Sequence, residues 1–131
     1  MAQSVVEVMR KMTVMGKAVI CTIHQPASEV FEKFDHIYLL SAGRVAFSGT
    51  ITEGLSFFES YVEYCVILKL DATLTTLLYR VGYGCPLNHN PADYFIFTLA
   101  IVPGNEEACK KRTDIICDAF RSSHRAGEIE V

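Results

Sequence analysis

The sequence predicts an α/β fold, and three observations carry that prediction. The apolar run Ala18-Val19-Ile20-Cys21-Thr22-Ile23, bounded by Gly16 and Pro26, has the pattern of a strand buried on both faces, as in a parallel sheet. Segments of helical period flank it on both sides. Two further strand-like runs enclose the turn Ser41-Ala42-Gly43-Arg44 and form a strand, turn, strand unit.

The chain opens on an amphipathic helix, with Ala2, Val5, Val6, Met9 and Met12 on one face and Gly16 as its stop. After the first strand, residues 27–34 read as a short helix with Val30, Phe31 and Phe34 turned inward and Pro26 tolerated in its first turn. The hairpin over residues 35–49 comes next, and residues 51–60 form a helix bearing Leu55, Phe57 and Phe58. Asn90-Pro91-Ala92-Asp93 is a helix start: Asn90 can cap, Pro91 loses little at the first helical position, and Asp93 suits the positive helix end. Ala92, Phe95, Ile96, Leu99 and Ala100 line one face of that helix. Pro103-Gly104 closes it, and a last helix carries Ala108, Ile115, Ile116, Ala119 and Phe120, before a polar tail from Ser122 that is expected to fray.

With 131 residues, half of them hydrophobic, the chain has material for one modest core. The 12 basic residues are scattered and the net charge is −3, which gives no basic face for nucleic acid. Lys110, Lys111, Arg112, Arg121 and Arg125 gather near the C-terminus and read as a solvated helix face. The five cysteines are odd in number and form no C-x-x-C pair, so free thiols in a reducing compartment are expected. Cys85 and His89 alone are too few to ligate zinc, and no metal site is expected. No apolar run reaches the roughly 18 residues of a membrane span, so the chain is expected neither to cross a bilayer nor to carry a secretion leader.

The candidate functional residue is His24, which the apolar run delivers into Gln25-Pro26. Ligands of open α/β sheets bind beyond the carboxyl ends of the strands, where a fixed imidazole can contact a phosphate or move a proton. A lone histidine at such a place is more often structural than functional, and the case rests on its surroundings. Asp35, His36, His89 and His124 read as turn or surface residues, and Phe57, Phe58, Tyr94, Phe95 and Phe97 as core or interface aromatics.

Four segments in order, Thr22-Ile23-His24-Gln25-Pro26, Phe34-Asp35-His36-Ile37-Tyr38-Leu39-Leu40, Gly43-Arg44-Val45-Ala46-Phe47-Ser48-Gly49 and Asn90-Pro91-Ala92-Asp93-Tyr94-Phe95, resemble the ABC transporter G family of White-like half-transporters. The resemblance covers residues 1 to about 60 and about 81 to 112. It implies the C-terminal part of a P-loop NTPase domain of the ABC type, truncated at its N-terminus. Residues 1–104 would belong to that nucleotide-binding domain, and residues 105–131 to a helical linker toward a transmembrane domain outside the chain. By the same resemblance His24 is the switch histidine that meets the γ-phosphate of ATP, and Gln25 contributes to the nucleotide-binding loop. Stabilising charge on γ-phosphate oxygens needs a positioned donor, which an imidazole provides.

The implied setting is a membrane, on its cytoplasmic face, with a second half-transporter as dimer partner, ATP and Mg as cofactors, and a lipid, sterol, pigment precursor or drug-like molecule as cargo. The sequence holds no G-x-x-x-x-G-K-[ST] phosphate loop, no signature motif and no acidic strand end for magnesium, so the chain alone is expected to show no measurable ATP turnover. A different class of reading is a truncated, non-catalytic regulator that pairs with an intact half-transporter. Between Ser60 and Val81 about 20 residues separate segments that the family joins almost directly. A lineage-specific insertion, a retained intron or wrong splice choice, and an unrecognised buried strand all account for residues 61–80, the splice artefact being preferred because such a segment has no obvious core to enter.

Overall fold

The computed structural model describes residues 2–67, 89–123 and 127. Helix α1 spans Ala2–Val14, α2 Ser28–Phe31, strand β1 Ile37–Ser41, β2 Arg44–Gly49, α3 Ile51–Ile67, α4 Pro91–Leu99 and α5 Glu106–Arg121. The mixture of helices and a small sheet is compatible with an α/β domain.

Strands β1 and β2 pair antiparallel through a two-residue turn in which Ala42 and Gly43 both have positive φ, 50° and 74°. That geometry suits the right-handed twist of a hairpin, and Gly43 adopts it without steric cost. Ile37 pairs with Gly49 and Leu39 with Phe47, and a bulge after Leu39 lets Leu40 pair with Val45. On β1 the side chains alternate: Ile37 is buried while Tyr38 and Leu40 face outward.

Helix α3 starts on a capping box. The Thr50 N–H donates to Glu53 Oε2 at 2.9 Å, and the Glu53 N–H donates to Thr50 Oγ1 at 3.3 Å. The helix then buries Phe58 against Phe47 and Phe95. Gly54 sits at the closest approach, where a Cβ would stand 3.1 Å from Phe95 Cζ and 3.2 Å from Phe47 Cε1. Helix α5 closes the core on β2 with Ile116, Cys117 and Phe120, so one aromatic cluster joins the hairpin to α3, α4 and α5.

Three expectations are corrected. Residues 17–23 form no strand: they are mostly exposed, with Ile20 at 98%. A parallel strand needs neighbours on its edges and cover on its faces, and the described sheet has only β1 and β2, which pair with each other. Helix α1 buries Val6 but leaves Val5, Val8 and Met12 exposed, because its only substantial contact among the described elements is the short α2. Arg112 is not on a solvated face but buried, at 3% exposure.

Helix α3 runs past Ser60 to Ile67, so the first part of segment 61–80 continues a helix. Residues 68–80 of that segment, the Val81-to-Pro86 stretch and most of the tail lie outside the described residues. Cys21, Cys109 and Cys117 are free thiols. Burial pushes the Cys117 thiol up from its ordinary value. No helix among the described residues is long and apolar enough to cross a membrane.

Candidate functional site

His24 and Gln25 stand exposed on a bend between the irregular segment 17–23 and helix α2. Gln25 has φ 43°, a left-handed conformation uncommon for a residue with a Cβ. Pro26 is buried, and its ring fixes φ just before α2 begins. Ala27 then serves as the N-cap of α2 with extended backbone, its carbonyl accepting from the Val30 and Phe31 amides at 3.0 and 2.9 Å.

The loop is tied down from a distant part of the chain. Asn90 Nδ2 donates to the Pro26 carbonyl at 2.7 Å, while Asn90 Oδ1 accepts from the Ala92 N–H at 3.1 Å. The expected cap of α4 is therefore present, with Pro91 in the first turn as the sequence indicates. Below this junction Phe31 of α2 meets Phe95 of α4 edge to face, with centroids 6.3 Å apart and planes at 60°. The first and fourth motifs of the sequence, about 64 residues apart, thus form one corner of the molecule.

Sequence reasoning missed two arginine contacts elsewhere in the fold. Arg112 Nε donates to the Thr98 carbonyl at 2.8 Å and its Nη2 to the Ala100 carbonyl at 2.7 Å, so a cation caps the C-terminal end of α4. Its position was readable: Cys109, Arg112, Thr113, Ile116, Cys117 and Phe120 recur at three- and four-residue steps, and all are buried. Arg44, just after the hairpin turn, pairs with Asp114 at 3.1 Å and with Asp118 on α5. The Asp118 carboxylate raises the Arg44 pKa above its ordinary value.

On the far side of α2, Lys33 pairs with Glu7 of α1 at 2.9 Å, and the same lysine holds the Glu7 carboxyl below the usual carboxylate range. His36 Nε2 lies 3.1 Å from Ser48 Oγ, which accounts for that histidine within the hairpin. Among the described residues, no three His, Cys, Asp or Glu side chains gather where a metal could sit. Toward ATP the described loop offers an exposed imidazole and an exposed side-chain amide, both suited to phosphate oxygens.

The chain is 45% identical to protein white of Drosophila melanogaster over 129 residues, 98% of this chain and 16% of that protein. Protein scarlet of the same fly is 36% identical over 95% of this chain and 16% of its own length. The ABC transporter ATP-binding protein/permease wht-1 of Caenorhabditis elegans is 32% identical over 94% of this chain and 15% of its own length. No family model matches the chain. The likeness is to ATP-binding cassette transporters, and the chain belongs to their G family, among the White-like half-transporters. It spans about one sixth of the length of these relatives, 16% for white and for scarlet.

Proposed function

We propose that this chain is the switch-histidine portion of the ATP-binding subunit of a G-family half-transporter, which couples ATP hydrolysis to transport of a lipid, sterol, pigment precursor or xenobiotic across a membrane. The observation that supports this reading is the exposed His24–Gln25 pair on a loop whose base is anchored to α4 through Pro26 and Asn90. The subunit acts at the cytoplasmic face of the membrane with a second half-transporter, and the chain alone does not turn over ATP.

Bound ATP and magnesium supply the phosphoanhydride and its charge neutralisation. His24 offers an imidazole N–H as a donor for a γ-phosphate oxygen, where negative charge must be stabilised during phosphoryl transfer. Gln25 adds an amide donor beside it. Pro26, next to them, is buried.

The test is a hybrid in which this chain replaces the matching segment of Drosophila protein white, assayed in membranes for vanadate-sensitive ATP hydrolysis. Turnover is expected in the hybrid, and His24→Ala is expected to lower it about 100-fold or more, the size of a lost charge-stabilising donor. A hybrid that turns over ATP equally well with His24→Ala refutes the proposal. So does an inactive hybrid beside an active parent.

A further inference from the structure

The side chain of Asn90 makes two bonds with opposite parts of one amide. Its oxygen caps α4 by accepting from Ala92, and its nitrogen donates to Pro26. Capping alone does not call for asparagine, because Asp or Ser accepts from the same backbone amide as well. The bond to the Pro26 carbonyl needs a donor, which the carboxylate of aspartate lacks.

On the other side of Pro26, Gln25 is held at φ 43°. A residue with a Cβ keeps that conformation only where its surroundings hold it, and such residues concentrate at functional sites. Pro26 contributes a fixed φ and a buried ring, and Asn90 fixes its carbonyl. The bend that presents His24 is therefore closed from its C-terminal side by a residue of another motif.

We infer that Asn90 is a positioning residue for His24: through the Pro26 carbonyl it locks the bend at Gln25 and makes the histidine loop move with helix α4. The inference rests on the proposed role of His24 and adds to it the group that sets where the imidazole stands. Asn90 itself touches no substrate. It acts through Pro26 and Gln25.

Asn90→Asp separates the two roles, since it keeps the cap and removes the donor, whereas Asn90→Ala removes both. In the 131-residue chain, the Pro26 carbonyl and Gln25 Cα resonances report the tether, and circular dichroism and the thermal midpoint report the fold. Asn90→Asp is expected to keep helicity and to lower the midpoint less than Asn90→Ala does, while moving those resonances toward coil values. In the protein white hybrid it is expected to lower kcat about three- to tenfold at unchanged KM for ATP, the effect of one neutral hydrogen bond. It should add nothing to His24→Ala.

Unmoved Pro26 and Gln25 resonances in Asn90→Asp overturn the inference, and so does a midpoint that falls as far as in Asn90→Ala. If His24→Ala abolishes turnover and Asn90→Asp leaves kcat unchanged, the inference fails and the role of His24 stands. If His24→Ala leaves turnover unchanged, the role of His24 fails, whatever Asn90 does to the loop.

Discussion

Replacing Arg112 by methionine tests how much of this fold hangs on one buried cation. Methionine keeps most of the aliphatic stem and removes the guanidinium, and with it the bonds to the end of α4. The Thr98 carbonyl is buried with its residue and has no route to water once its donor is gone, a loss of about 1–3 kcal/mol. The Ala100 carbonyl is only partly buried, and water replaces the lost donor at about 0.5–1.5 kcal/mol. Against these stands the relief of a desolvated charge, most of which the bonds to the two carbonyls already offset in the folded chain. The net expectation is a loss of about 2 kcal/mol, a large share of the roughly 5–15 kcal/mol of a typical domain. Lys111→Met is the control, because Lys111 is exposed and makes only a 3.4 Å pair with Glu107. Urea unfolding of the chain, followed by circular dichroism, reads both variants at one temperature and salt. The reasoning is refuted if Arg112→Met costs no more than Lys111→Met.

Two further perturbations follow from the same packing. Gly54→Ala gains about 1 kcal/mol of helix propensity but drives a methyl into two ring edges that are themselves fully enclosed, at about 1–3 kcal/mol, so a net destabilisation in urea unfolding is expected and a net stabilisation would show that the rings can yield. The Glu7 carboxyl titrates below its ordinary 4.5 because Lys33 hydrogen-bonds it, so its contribution is present above that value and is lost as pH falls through the folded one. The stability of the chain between pH 6 and pH 3 should therefore fall less steeply in Glu7→Gln than in the parent, and equal slopes would show that this pair has no part in acid sensitivity.

What could be read from the sequence is what local chemistry decides. Asn90 capping α4, Pro91 in its first turn, the Ala42-Gly43 turn and the helix after Thr50 each depend on a few adjacent residues, and each stands as the residue types indicate. The segment Ala18 to Ile23 was misread because a run of apolar, β-branched residues becomes a strand only where other strands receive it. For Arg112 the charge suggests solvent, but register decides its place. Its step of three from Cys109 and four to Ile116 places it in the buried stripe of α5. Of the candidate site, His24 and Gln25 were visible as residue types, but the bond from Asn90 to Pro26 joins groups 64 positions apart and has no signature along the chain.

The two arginine contacts on α5 give that helix an unusual mechanical character. At 3.6 residues per turn, Asp114 and Asp118 lie about 200° and 240° around the axis from Arg112, so the helix is gripped on nearly opposite sides. A rod held on one side rolls, whereas a rod held on two passes torque to whatever holds it. One grip is buried and insensitive to ions, while the other is exposed and weakens as salt screens it. Twisting the far end of α5 therefore loads α4 and the hairpin together in dilute buffer, and loads α4 preferentially in concentrated salt.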